Sequence, residues 1–392
     1  MDSINTNCPN CSQSVSVKFH SITDVPVNSC ITLDAAEEAI KYPTGNIELC
    51  FCQNCSFIYN RTFDIKLVEY SSRYQDQQAY SATFGAFQEN LVNTLIQKYH
   101  LQNKSIMEIG CGKGDFLKLL CSTGNNKGYA IDPIADPRYF ADINNGNIVI
   151  FPEHYSTRHD KIHADLICCR HTLEHIPDTA DFIKLLRNNI AGKVTNLFFE
   201  VPNTQIIIDN CSFQDIYYEH CSYFTACSLK YLFETNGFYV ESIDLAYNNQ
   251  YLLLFASSEK NDKFPSCAKA GNKLTINSLD DFVIKIAGRI QHWKSLIESL
   301  QKKNKNIVIW GSGSKCMGFL SALKIMPDNL YIVDINPNKQ GKFSPGLDIP
   351  VVSPEIFSHT KINTVIVMNS IYENEIKTKI AEYSKIPEVL LL

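Results

Sequence analysis

The chain has 392 residues, more than one ordinary hydrophobic core organises, so two or three domains are expected. Hydrophobic residues make up 45% and charged residues 20%, a globular balance, and the net charge of −5 argues against a broad electrostatic footprint for nucleic acid. No apolar run approaches the roughly 20 residues that span a bilayer, and the opening MDSINTNCPNCSQ lacks the basic start and apolar stretch of a signal peptide, so a cytoplasmic protein without a membrane partner is expected.

Residues 1–69 show little periodicity but hold two CxxC pairs, Cys8-Pro-Asn-Cys11 and Cys52-Gln-Asn-Cys55. Each such turn presents two sulfurs at ligand spacing, and four thiolates with no open position describe a structural zinc site. Cys30 and Cys50 compete for a ligand place at this level. A ribbon that contacts nucleic acid is another reading of such a module, and the acidic balance speaks against it. The chain has fifteen cysteines in all, and most of the rest read as small buried hydrophobes in a reducing compartment.

A helical stripe follows over Tyr80 to Tyr99, with Phe84, Phe87, Leu91, Leu95 and Ile96 on one face. Strands and helices then alternate: SIMEIG, a helix from Lys113 to Cys121, GYAID, a segment near NIVIF, ADLICC and VTNLFFEVPN. That alternation predicts βαβ units and a parallel sheet. Gln250 to Ser258, QYLLLFASS, is expected as a last antiparallel strand at the sheet's edge. Within the first βα turn, Glu108-Ile-Gly110-Cys-Gly112-Lys-Gly114 lets the backbone turn tightly and approach a ligand. Asp132, followed by Pro133, stands at the end of the next strand, where a carboxylate accepts the ribose hydroxyls of a bound nucleoside. Arg170 and His171 end the ADLICC strand on the same side, and Glu174 and His175 follow in the loop. Neither histidine of that loop is assigned a catalytic part. A dinucleotide-binding domain is the rival reading; its fingerprint sets the third glycine three positions after the second, whereas Gly114 follows Gly112 by two.

Beyond the strand ending Val201-Pro202-Asn203, the stretch Asp215-Ile-Tyr217-Tyr218-Glu219-His220 gathers rings, carboxylates and an imidazole. It suits general acid–base work, with a satisfied polar turn as the alternative. Residues 259–278 are polar and read as a linker, and an amphipathic helix is expected from Leu279 to Lys302. A second, smaller α/β unit runs from NIVIWGSGSKCMGFLSAL through LYIVDINP to TVIVMNS. Gly311-Ser-Gly313-Ser314-Lys315 opens its helix, where backbone amides and a lysine charge cradle an anion. An NAD site is the alternative there, but Cys316 occupies the third glycine place.

The E-x-G-x-G-x-G turn, Asp132 and the LEHIPD loop closely resemble class I methyltransferases that use S-adenosylmethionine (SAM). With the CxxC pairs, the Y-x-E-H-x-x-Y-F segment and the string DINPNKQGKFSPGLDIPV, the chain resembles the deoxysugar C-methyltransferase family over nearly its whole length. The resemblance implies a zinc module over 1–69, a SAM-dependent methyltransferase domain over 70–258, a linker and long helix over 259–302, and a Rossmann-like substrate-binding domain over 303–392. It implies methylation at C3 of a nucleotide-linked 4-keto sugar, SAM held by the glycine turn, Asp132, Pro133, Arg170 and His171, and zinc on Cys8, Cys11, Cys52 and Cys55. The family's catalytic tyrosine, glutamate and histidine fall on Tyr217, Glu219 and His220, and its substrate-side tyrosine on Tyr74 or Tyr80. Asn203, Ser314, Lys315, Asp334 and Lys339 are expected on the substrate side, Lys339 and Lys342 with a solvated-turn alternative. Two departures stand out: Tyr218 replaces a family histidine, and Met368-Asn369 replaces Trp-Asn. A small-molecule substrate and a monomeric chain fit this reading, with O- or C-methylation of another metabolite, or a zinc-ribbon scaffold, as alternatives.

Overall fold

Among residues 2–4, 6–141, 147–190, 192–260 and 273–392, which the computed structural model of the protein describes, the strands assemble into three sheets. The first contains β1 (Asp2–Ile4), β2 (Ser16–Pro26), β3 (Thr44–Cys52) and β4 (Ile58–Asn60), paired antiparallel. Residues 1–69 are therefore strand-rich. Irregularities between Lys18 and His20 and between Ile22 and Val25 break the alternation of β2, which hides its period in the sequence.

The second sheet carries β5 (Ser105–Ile109), β6 (Lys127–Ile131), β7 (Ile148–Phe151), β8 (Leu166–Arg170) and β9 (Asn196–Pro202), all parallel. Helices cover both faces, so these strands need the unbroken apolar runs that the sequence supplies. The short β10 (Ser222–Tyr223) pairs with β4 instead, and so closes the N-terminal sheet with a segment of the second domain. β11 (Tyr239–Ala246) and β12 (Tyr251–Ser257) complete the order β11-β12-β9-β8-β5-β6-β7. β12 is antiparallel as expected, but it is not the edge strand. It lies between β9 and β11, and its Leu252 to Ser257 are all buried, as an interior strand requires. The edge belongs to β11, whose half-polar YVESIDLA conceals it in the sequence.

The helix Asp115–Gly124 starts two residues later than the sequence suggests, because Gly114 takes a left-handed conformation at its N-cap. The linker reading falls partly on 261–272, which lie outside the described residues. The long helix runs Ile276–Lys302, begun by a capping box between Thr275 and Ser278 three residues before the expected start. The third sheet is parallel, with β13 (Ile307–Trp310), β14 (Leu330–Val333), β15 (Val351–Val352), β16 (Thr364–Val367) and β17 (Glu388–Leu391) in the order β15-β14-β13-β16-β17.

One apolar core runs through Phe19 and Phe51 of the first sheet, Phe282 and Trp293 of the long helix, and Ile309 and Ile332 of the third sheet. Leu33 and Phe343 exchange backbone hydrogen bonds of 2.9 and 2.8 Å across the same junction. The N-terminal module is thereby fused to the C-terminal unit, and both are brought over the C-terminal ends of the β5–β9 strands. No helix among the described residues is long and apolar enough to cross a membrane.

Candidate active site

A cavity of about 820 Å³ opens where the two parallel sheets face each other. Its floor is the turn after β5. Asp132 Oδ2 accepts from Gly112 N at 2.9 Å and Oδ1 from Ile134 N at 2.8 Å, which ties the glycine turn to the end of β6. Gly110 and Gly112 line the cavity with positive φ, and a Cβ on Gly112 would meet nothing within 4 Å, leaving room for a ligand. Gly114 is different: it does not line the cavity, and a Cβ there would strike the Phe140 ring at 2.2 Å. It serves packing. Burial raises Glu108 to about 8, against the pull of Arg170, and its Oε2 is buried with no hydrogen-bond partner. A carboxyl left unpaired beside an open glycine turn suits a ligand that brings a donor or a positive charge.

A polar chain runs along the wall. Arg170 Nε donates to Glu200 Oε2 at 2.6 Å, His171 Nε2 lies 3.1 Å from Glu200 Oε1, and Pro133 lines the same space. Burial opposes charge on His171, but Glu200 and then Glu174 carry it up to about 9, so the ring is cationic at neutral pH. His171 also has positive φ, an uncommon conformation for a non-glycine residue.

The 215–224 stretch places His220 and Tyr217 on the cavity wall, with the Tyr217 hydroxyl 2.9 Å from His220 Nε2. Burial, then the neighbouring His175, His171 and Lys315, hold His220 well below the ordinary histidine range, so its imidazole is uncharged. Burial likewise raises the Tyr217 phenol, which stays protonated. His175 meets the His220 ring edge-on at 4.9 Å. Glu219 turns away and does not line the cavity: it accepts from Asn28 Nδ2 at 3.0 Å, from Ser29 N at 2.7 Å and from Ser29 Oγ. Tyr218, at the position of the family histidine, packs beside Gly45, its hydroxyl accepting from Asp64 N at 2.8 Å and donating to Thr62 O at 3.5 Å in the N-terminal module.

Tyr74, Tyr80, Asn203, Ser314, Lys315, Asp334 and Lys339 all reach the cavity wall. Tyr80 accepts from Asn338 Nδ2 at 2.9 Å, and Asn203 caps the helix Thr204–Asp209 through Gln205 N. Asp334 repeats the pattern of Asp132 in the second unit, accepting from Ser312 N and Asn336 N at 2.8 Å each. Lys339 is not a solvated turn residue. It is buried 3.6 Å from Asp334, and that carboxylate raises it against the effect of burial. Lys342 does lie in an exposed ion pair, with Asp34. Sequence reasoning missed Tyr70, whose buried hydroxyl has no hydrogen-bond partner on the cavity wall, and Lys113, which donates to Gln75 and Gln77 at 2.6 and 3.0 Å. No local pattern marks either residue.

Away from this cavity, the sulfurs of Cys8, Cys11, Cys52 and Cys55 lie within 4.8 Å of one another. Cys8–Cys55 and Cys11–Cys52 are 3.7 and 3.5 Å apart, near the about 3.8 Å edge of a tetrahedral zinc tetrathiolate. Cys50 and Cys30 stand outside this group.

Two family models match the chain: a methyltransferase domain over residues 81–243 and a C-methyltransferase C-terminal domain over 266–387. The fold and site define a methyltransferase of the class I, SAM-dependent kind. Within that class, the second model matches the C-terminal domain found in C-methyltransferases. C-methyltransferase NovU of Streptomyces niveus is 26% identical over 283 residues, spanning 68% of this chain and 66%, just under two thirds, of that protein. Solved structures with which the chain shares a likeness include magnesium protoporphyrin IX methyltransferase of Synechocystis PCC 6803, at 13% identity, 45% of this chain, 84% of that one and a TM-score of 0.35. A SAM-dependent methyltransferase of Aquifex aeolicus matches at 14% identity, over 43% and 89% of the two chains, with a TM-score of 0.33.

Proposed function

We propose that this chain methylates a carbon, C3 of a nucleotide-linked 4-keto deoxysugar, with His220 as the base. The observation that carries the reading is an uncharged, buried imidazole in a cavity shared by the SAM turn and a second α/β unit with its own anion-binding turn. SAM, when bound, supplies an electrophilic methyl group. Glu108, Gly110, Gly112 and Asp132 are the residues that would hold it. A C–H beside a ketone is acidic enough for a positioned imidazole to remove. The developing enolate oxygen needs a donor, and the protonated Tyr217 phenol beside His220 is available. Tyr74 and the unpartnered Tyr70 hydroxyl offer further donors on the same wall.

Ser314, Lys315 and Lys339 suit the diphosphate of a sugar nucleotide. Zinc on Cys8, Cys11, Cys52 and Cys55 would be structural, since four thiolates leave no open position. Glu219 supports the reading as an anchor: its carboxylate ties the catalytic segment to Asn28 and Ser29. The deciding experiment is turnover with 4-keto nucleotide sugars. Wild type is expected to add one methyl group per sugar, and His220→Asn to lose turnover while binding SAM normally. Full activity in that variant would refute the base.

A further inference from the structure

The carboxylate that approaches His220 from the cavity wall is Glu174, and sequence adjacency to His220 does not reveal it. Glu174 is 1% exposed, and neither of its oxygens has a hydrogen-bond partner. A buried carboxylate without donors is costly unless positive charge stands against it, and the cationic His171 is divided between Glu174 and the nearer Glu200. Its Oε1 lies 4.0 Å from His220 Nε2 and 3.6 Å from His171 Nδ1. His171 is already engaged on its other nitrogen by Glu200. Glu219, by contrast, has its oxygens taken up by Asn28 and Ser29.

The backbone keeps Glu174 in place. Cys221 N donates to Glu174 O at 3.0 Å, and His175 Nδ1 lies 3.1 Å from Glu219 O, so the two loops are stitched together on both sides of the pair. We infer that Glu174 is the positioning residue of the base: it is the counterion that receives the His220 imidazolium, while Glu219 holds the segment in place. The inference rests on the proposed role of His220. The proton leaves the substrate carbon for a His220 nitrogen, and the bonding pair stays on the substrate as the enolate. Other charged or titratable groups also face His220. His171 and His175 come from the loop of Glu174, Lys315 from the C-terminal unit, and Tyr217 and Tyr223 from its own segment. Glu174 is the carboxylate that approaches the ring within 4.0 Å.

The test is the pH profile of kcat/KM. Removing an anion beside an imidazolium makes the ring harder to protonate, so Glu174→Gln should move the acidic limb down by about one pH unit and lower the plateau about tenfold or more. Glu174→Asp should recover part of both, and Glu219→Gln should lower thermal stability with the limb in place. SAM affinity reports folding. Should the glutamine variant not fold, the aspartate variant decides: a limb displaced downward supports the counterion, an unmoved one overturns it. An unmoved limb in a folded Glu174→Gln enzyme also overturns it. So does a second equivalent of bound metal that this substitution removes, since Glu174, His175 and His220 would then be ligands. Activity in His220→Asn would instead remove the base itself, a separate failure.

Discussion

At the scale of single residues, the site is organised by two aspartates in matching places and one uncharged imidazole. Asp132 gathers Gly112 N and Ile134 N, and burial raises its carboxyl against those two amides, leaving it ready for a better donor. Asp132→Asn should weaken SAM binding by about 1.5–3 kcal/mol, roughly ten- to a hundredfold, measured by titration calorimetry. His220→Asn should cost about 10²- to 10⁴-fold in kcat without that loss of affinity. Much of this was legible in the sequence, because a glycine turn and the aspartate after the next strand occupy a fixed local pattern. Residues whose role depends on distant partners were not. Glu219 sits next to His220 in the chain yet faces Ser29, whereas Glu174 comes from another loop to within 4.0 Å of the ring.

At the scale of elements, the catalytic segment is braced by a helix from the other unit. Helix Ser314–Leu323 approaches the turn Phe213–Asp215 closely enough that a Cβ on Gly318 would lie 2.4 Å from Gln214 O. Phe213 stacks on Phe319 at 5.7 Å, and Lys315 pairs with Asp215. Gly318→Ala should therefore destabilise the protein by about 1–3 kcal/mol and lower turnover by shifting Tyr217, as read by thermal melting and kinetics. β2 carries a second element-scale consequence. His20 packs edge-on against Phe282 of the long helix, and burial lowers it to about 4. The unfolded chain takes up this proton near pH 6.5 and the folded one does not until about 4. Stability is thus complete above 6.5 and falls as pH drops toward 4, by at most about 3 kcal/mol from this group. Denaturant melts of His20→Asn should show a flatter pH dependence over that window. Strands β5–β9, β12, β13, β14 and β16 were readable from apolar runs, but the short β15 and β17 were not, nor was β11, since an edge strand keeps half its side chains polar.

At the scale of the whole molecule, the first sheet shares one core with the third sheet and another with the second, and the cavity lies where the units meet. The sequence shows the units in order but not that β10 crosses back to close the first sheet, because two residues carry no periodicity. This fusion predicts that the cysteine cluster matters far from its position. Paired Cys52→Ser and Cys55→Ser replacement should remove about one zinc per chain and lower the melting temperature, with turnover falling as Asn28 and Ser29 lose their hold on Glu219. The central claim, methyl transfer to a carbon that His220 has deprotonated, is tested most directly by NMR of the product formed from methyl-13C SAM and a nucleotide-linked 4-keto sugar. The account predicts the label bonded to carbon in wild type and absent from the sugar in His220→Asn. A label on oxygen, or a carbon-bound label formed equally well by the variant, would contradict it.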